Sequence, residues 1–394
     1  SGSVFGCKSA GTSRGDARRQ KELTSSLFCR RVPSGFRPCG LSACALTQDT
    51  RKIENFNLLF DINARNNYFS YFCQKIIMVT ASEFIRTQTW EVIFNPNAFG
   101  NRKEEKWGLI KAQLSQLSVL FSAHHVESST ICQSLLQRLC NDGKRHFLIV
   151  GGDGTLNDCL NGIFSSGIPT SEAFLWVVPI GTGNDWSRTH FYPEEFAYEL
   201  SDFKHANFIS HDVGVVKIIG EKNFNRYFLN IAGFCFDGAV IENIARKKNS
   251  FNSSLVYLLG VLKVLLSYRP KKTVITSKEQ TINDKIFTIA VGIGRYNGNG
   301  MKQVPNADPQ DGLFDVVVIR KISKLKVIRN IKKLYSGTHT KLKEVTQFRT
   351  NELTITSNSP FFGEVEGEVL KQGDYKIENA PDKINILSFN PHFK

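Results

Sequence analysis

The sequence predicts an α/β domain built on a parallel sheet, followed by an antiparallel β-sandwich domain with inserted helices. Between residues 89 and 178, short apolar runs alternate with helical stretches. Beyond residue 211, runs rich in Val, Ile, Phe and Thr follow one another with Gly and Asn turns. At three junctions of the first half a small-residue loop follows an apolar run directly, and an open parallel sheet gathers such loops at the carboxyl ends of its strands.

The first apolar run, residues 90–94, ends in Asn95-Pro96-Asn97, and a helical stretch over 103–116 leads to a short apolar run at 117–121. A helix over 129–141 closes at Asp142-Gly143, a C-cap signal, before the strand 146–150. Next come Gly151-Gly152-Asp153-Gly154-Thr155, a helix over 156–164, a buried strand at 174–178, and the loop Pro179-Ile180-Gly181-Thr182-Gly183-Asn184-Asp185. The later strands are expected at 213–219, 227–232, 272–276, 287–291, 314–319, 352–356 and 383–387, interrupted by helices at 239–245, 255–268 and 324–335. The expected division is a leader over 1–85, the α/β domain over 86–211 and the sandwich over 212–394, whose last segment could return to the first domain.

The leader holds five of the nine cysteines (Cys7, Cys29, Cys39, Cys44, Cys73) and has no sustained periodicity before about residue 56. It reads as a poorly ordered or non-native segment, with a natural start at Met78 as a further expectation. The cysteines show no CxxC spacing, which fits reduced thiols in a cytoplasmic protein and argues against zinc. The net charge of +14 calls for an acidic partner: nucleotide, nucleic acid or anionic lipid. No recognised nucleic-acid-binding module accompanies it. The most apolar stretch, 255–268, is shorter than the roughly 20 residues that span a bilayer, so no transmembrane helix is expected.

The loop 151–155 carries the strongest chemical signal. Glycines let a polyphosphate approach the backbone, and the amides of the following helix point at the anion. A carboxylate there, Asp153, implies a cation such as magnesium, or a role in holding donors in place. Asn95-Pro96 and Gly181-Thr182-Gly183-Asn184-Asp185 add two loops on the same sheet edge, and together the three describe a nucleotide cleft.

These segments, with Leu156-Asn157-Asp158, Asn230-Ile231-Ala232-Gly233-Phe234-Cys235-Phe236-Asp237, Asp308-Pro309-Gln310-Asp311-Gly312-Leu313 and Glu366-Gly367-Glu368, resemble the ordered motifs of the diacylglycerol kinase catalytic-domain family. That family includes bacterial soluble lipid kinases and sphingosine kinases, and the resemblance runs from about residue 89 to 387. It implies an NAD kinase/diacylglycerol kinase-like fold and transfer of the γ-phosphate of ATP, with Mg2+, to a lipid hydroxyl. Diacylglycerol is the expected acceptor, with a sphingoid base or ceramide as the alternative; NAD kinase and an inactive lipid-binding protein are further readings.

Carried over by position, the resemblance puts nucleotide against Asn95, Pro96, Ser122, Gly151, Gly152, Asp153, Gly154, Thr155, Asn157, Asp158, Gly181, Thr182, Gly183, Asn184 and Asp185. It gives Glu368 the part of general base with Glu366 beside it, though which of the two acts is open, and it puts a structural magnesium near Asp308, Asp311 and Leu313. Two residues depart from the family pattern: Glu366 replaces the usual Asp of Asp-Gly-Glu, and Asp158 stands where many relatives have Glu. Both keep the charge, so activity is expected.

Residues 255–268, flanked by Arg246-Lys247-Lys248 and Arg269-Pro270-Lys271-Lys272, read either as a core helix or as a lip resting on an anionic membrane surface. His124 and His125 are expected as loop donors near the adenosine. The family includes dimers, which leaves a homodimer open.

Overall fold

The structure, a computed structural model, describes residues 80–98, 103–192, 203, 206–246 and 254–393. The expectations for residues 1–79, including the cysteine-rich leader and the start at Met78, lie outside the described residues, as do Lys247 and Lys248.

The described chain opens with a short helix, α1 (Ala81–Thr87), set by a capping box in which Thr80 and Glu83 satisfy each other's backbone amides. Ala81 and Ile85 are buried, and Phe84 packs on Phe174 and Phe208. Residues 80–85, expected in the leader, therefore belong to the first domain.

Six strands form its sheet: β1 (Thr89–Phe94), β2 (Leu120–His125), β3 (His146–Gly151), β4 (Phe174–Pro179), β5 (Asn207–His211) and, from the far end of the chain, β17 (Ile384–Ser388). Their order is β2-β1-β3-β4-β17-β5, parallel except for β5. The second strand begins later than the apolar run suggested, because Ser118, at φ 58°, turns the chain after the preceding helix. β17, the last segment of the chain, returns to the first sheet between β4 and β5, the alternative left open for it, and its burial explains its apolar character.

Two helices are set by spacing: α2 (Lys103–Gln116) buries Trp107, Ile110 and Leu114, and α3 (Ser129–Asn141) buries Cys132, Leu135, Leu136 and Leu139 behind an N-cap at Ser128. Helix α4 (Asp153–Ser165) starts three residues earlier than expected, so Asp153 and Gly154 occupy its first turn. It lies so close to α3 that a Cβ at Gly162 would stand 2.7 Å from the Gln133 carbonyl oxygen. A short helix, α5 (Asp185–Thr189), follows β4.

The second sheet contains β6 (Gly214–Ile218), β7 (Arg226–Phe228), β8 (Ile231–Cys235), β9 (Lys271–Ser277), β10 (Thr281–Gly292), β11 (Phe314–Arg320), β12 (Val345–Thr350), β13 (Glu352–Ser357), β14 (Gly363–Val365), β15 (Glu368–Val369) and β16 (Tyr375–Asn379). Its order is β15-β14-β8-β10-β9-β13-β16-β6-β7, with β11 joining β10 to β12, and every pairing is antiparallel. Alternation along β13, with Leu353 and Ile355 buried, gives it one core face. The expected strand at 227–232 is broken at Leu229-Asn230, because the amides of these two residues bond to the Glu366 side chain instead of to a neighbouring strand. Three helices accompany this sheet: α6 (Phe236–Ala245), α7 (Ser254–Ser267) and α8 (Lys324–Ser336). Among the described residues no helix is long and apolar enough to cross a membrane.

Candidate active site

Strands β1, β3 and β4 run in register to one edge, where Phe94 pairs with Val150 and Gly151 with Pro179. The three expected loops meet there and are bonded to one another. Asn95 donates its side-chain amide to Thr155 Oγ1 at 2.9 Å, and Ile180 donates its N–H to the Gly151 carbonyl at 3.0 Å. A Cβ on Gly181 would stand 2.6 Å from the Gly152 Cα, so only glycine lets the second and third loops touch. Asn184, at φ 49°, turns the chain into α5.

Asp153 ties this edge together. Its carboxylate oxygens accept the N–H groups of Asp185 at 2.9 Å and Trp186 at 3.2 Å, and Asp185 accepts those of Asn299 at 2.7 Å and Gly300 at 2.6 Å. The 297–301 turn of the second domain is thereby fastened over the cleft. Burial pushes Asp153 up to about 6 and raises Asp185 as well.

Across the cleft stands Glu366. It occupies the first position of a two-residue hairpin between β14 and β15, with φ 50° at Glu366 and 85° at Gly367. Such a turn needs positive φ at both residues and favours Asn-Gly; a glutamate there is strained, as functional side chains often are. Its carboxylate accepts the N–H groups of Leu229 at 2.6 Å and Asn230 at 2.8 Å. Burial, with the negative charge of Asp153 adding to it, lifts Glu366 to about 7, against the pull of Arg226.

Glu368 lies beyond the turn, exposed on the edge strand β15. The geometry therefore brings Glu366, two residues before Glu368, opposite Asp153, while Glu368 stands outside the turn. Several other expected residues stand away from the cleft or serve the frame. Ser122 is exposed in mid-β2, paired in register with Glu91 and three residues short of the carboxyl edge. Asn157 is buried and donates to the Tyr227 carbonyl, fixing α4 to β7. Asp158 accepts from Ser129 and Gln133 and lies 3.8 Å from Arg226. His124 and His125 are the last two residues of β2 rather than lying in a loop, and the Nε2 of His124 is 2.6 Å from the buried Glu91 carboxylate.

Three features escaped the sequence reading. Arg226 is mostly buried between Asp158 and the Glu366 side of the cleft, and its Nε has no hydrogen-bond partner. Glu364 accepts the Gly367 N–H at 2.8 Å and so braces the turn that presents Glu366; burial, with Asp237 adding to it, pushes it up to about 8. Asp237, raised to about 6 by burial, takes the Gln303 side-chain amide at 2.7 Å, while Asn297 links Gln303 to Glu364. The alternation Glu364-Val365-Glu366 was the one available signal, since period two aligns the two acids.

Asp153 and Glu366 are half-buried carboxylates whose charged forms are disfavoured in the cleft, and a divalent cation arriving with a triphosphate would favour those forms. The expected structural magnesium site fares differently. Asp308, Asp311 and Asp315 line a cavity of about 380 Å³ with Asn306, Gln347, Phe348 and Arg349. Asp311, however, accepts the Leu313 N–H and pairs with Arg349, whose Nε also lies 3.3 Å from Asp315. Among the described residues no three His, Cys, Asp or Glu side chains gather to hold a metal. A cation would have to displace the Arg349 guanidinium, so Asp308, Asp311 and Leu313 do not fit a magnesium site as arranged.

On the second domain, α6, α7 and the start of β9 enclose a cavity of about 420 Å³ with Phe361 and Phe362. Asn243 Oδ1 is buried among its lining residues without a hydrogen-bond partner, and the Tyr268 hydroxyl there lies against the Cys235 thiol. Helix α6 packs against β14 and β15, and the lining residues Phe361 and Phe362 lead into β14, the strand that ends just before Glu366.

Comparison with known proteins agrees with this arrangement. Residues 89–216 match the profile of the diacylglycerol kinase catalytic domain, and residues 232–388 match the YegS C-terminal NAD kinase β-sandwich-like domain. YtlR of Bacillus subtilis, which is named as a candidate lipid kinase, is 25% identical over 309 residues, covering 75% of this chain and 98% of its own. A diacylglycerol kinase of the same organism is 24% identical over 284 residues, 70% of this chain and 88% of that one. A crystal structure of a diacylglycerol kinase from Bacillus anthracis shares the fold at a TM-score of 0.57 and 20% identity, covering 78% of this chain and 98% of that one. With both domain profiles matched in order and the glycine loops facing an acid from the second domain, the chain belongs to the diacylglycerol kinase catalytic-domain family of lipid kinases.

Proposed function

We propose that the chain transfers the γ-phosphate of ATP to the hydroxyl of a membrane lipid, with diacylglycerol as the first candidate. One observation carries this reading: Glu366 and Asp153, from different domains, face a single cleft floored by three small-residue loops. The 151–155 loop and the first turn of α4 offer backbone amides to the polyphosphate. Asp153 would face the magnesium that accompanies ATP, and that ion would supply positive charge for the phosphate oxygens. Glu366 takes the proton of the lipid hydroxyl as that oxygen bonds to the γ-phosphorus, the bond to the bridging oxygen breaks, and ADP leaves. Arg226, beside Glu366, offers a guanidinium to the phosphoryl charge.

The cavity under α6 and α7 supports a lipid acceptor. Its size is that of a small-ligand site, and the unpartnered Asn243 Oδ1, with the Tyr268 hydroxyl near it, could orient a glycerol ester or a hydroxyl. The acceptor resides in a bilayer, so the protein works at an anionic membrane surface from the aqueous side. Helix α7, where the lip was expected, turns Val264 and Leu265 inward while Leu262 and Leu266 stay exposed. Transfer of labelled γ-phosphate to a panel of diacylglycerol, sphingosine, ceramide and NAD tests the proposal. Label on NAD alone, or on none of the four, would overturn it.

A further inference from the structure

Helix α8 is built as an amphipathic helix but is not used as a core helix. Leu325, Ile328, Ile331 and Tyr335, at spacings of three or four, share one stripe, yet they are 56%, 43%, 40% and 54% exposed. No residue of the helix is buried, although a Ser323 N-cap and a left-handed Gly337 define both its ends. Lys324, Lys326, Arg329, Lys332 and Lys333 accompany the stripe, and the helix has no acidic residue. Lys326 is paired with Glu344, while Arg329, Lys332 and Lys333 lie exposed.

The surroundings of α8 decide what covers this stripe. At its N-terminal end Lys324 bonds the Leu266 carbonyl of α7, so the exposed Leu262 and Leu266 lie near its first turn. Helix α7 also supplies Val264 and Ser267 to the proposed acceptor cavity. At the other end, the Leu334 carbonyl accepts the Lys302 N–H, and His339, just past the helix, bonds the Gln303 carbonyl; the segment 297–303 is the one fastened to Asp185. An occupant therefore touches apolar side chains and cations together, beside a cavity suited to a lipid. A folded acidic protein or a nucleic acid would match the cations and leave the stripe in water.

The geometry points to α8, together with the exposed edge of α7, as the face that docks on the surface of an anionic bilayer. The apolar stripe enters the headgroup boundary while the lysines and arginine meet lipid phosphates. This assignment rests on the lipid-kinase reading and adds to it the helix that makes the contact.

The test uses the full chain and Ile328→Glu/Ile331→Glu, with Lys332→Glu/Lys333→Glu as a second variant. All four side chains are exposed, so the fold is expected to persist. Vesicles of phosphatidylglycerol and phosphatidylcholine should sediment the wild type, less so as salt rises, and each variant should bind at least about tenfold more weakly. Phosphorylation of diacylglycerol in vesicles should fall in parallel, while phosphorylation of a dispersed short-chain diacylglycerol stays at the wild-type rate. Unchanged vesicle binding by both variants overturns the assignment to α8 while leaving the kinase reading intact. Wild-type protein that ignores vesicles but is retained on heparin also overturns it, in favour of a polyanion partner. A wild type that phosphorylates neither form of diacylglycerol, and neither sphingosine nor ceramide, overturns the kinase reading itself.

Discussion

Asp153 and Asp185 are joined head to backbone: the side chain of the first accepts the main-chain N–H of the second at 2.9 Å, and the side chain of the second then holds Asn299 and Gly300. The acid in the glycine loop is thus a fastener as well as a charge. It sets where α5 begins, and through Asp185 it sets where the second domain meets the cleft.

Asp153→Asn should damage both stability and turnover. Asparagine keeps one acceptor and turns its NH2 towards an amide that needs an acceptor, which leaves a buried N–H unpaired at a cost of about 1–3 kcal/mol. The thermal midpoint should fall, and phosphoryl transfer should fall further than the lost stability explains. A variant with wild-type turnover would show that Asp153 is only structural.

Glu366→Gln and Glu368→Gln separate the two candidates for the base. The amide at 366 keeps the Oε1 that both Leu229 and Asn230 use but cannot take a proton, so the rate should fall by about 10²–10⁴ with nucleotide affinity nearly intact. Exposed Glu368 should tolerate the change within a few-fold. Single-turnover rates with nucleotide titrations on both variants measure the contrast, and the reverse order would return the role to Glu368.

The dependence of kcat/KM on pH should follow the same group. A base must be ionised, and Glu366 is raised to about 7, so activity should climb through about pH 7 and level off above it. In Arg226→Met the limb should move to higher pH, because the nearby positive charge that favours the carboxylate is gone. An unmoved limb would assign the titration to another group.

The periodic elements were legible because burial repeats: the 3.6-residue pattern of α3 and the buried runs of β3 and β4 follow from what the sheet covers. The loops were legible as well, since only glycine allows the contact between residues 152 and 181. Other features depend on partners remote in sequence. The break at Leu229-Asn230 is caused by a side chain 136 or 137 residues away, and β17 closes a sheet begun almost 300 residues earlier. The choice between Glu366 and Glu368 turned on a hairpin register that no spacing rule supplies. Arg349 was unreadable for a related reason: β12 brings it beside Asp315 on β11, where it stands in the place expected for a cation.

Glu364→Gln tests the brace behind the catalytic turn through the pH dependence of stability. Glu364 rises from the ordinary 4.5 to about 8 on burial. Between those values the folded chain keeps a proton that the unfolded chain has released. The native state binds more protons there, so stability falls as pH rises across the window. Asp153 and Asp237, raised to about 6, act in the same direction and are spent by about pH 7, and Glu366, raised to about 7, by about pH 8, which leaves the highest part of the window to Glu364. Glutamine is neutral throughout and retains an oxygen for the Gly367 N–H. Thermal midpoints taken from about pH 5 to about pH 9 should decline throughout in the wild type and flatten above about pH 8 in the variant. Parallel curves would mean that Glu364 ionises in the folded chain as it does in the unfolded one, and that the hairpin is held by other contacts.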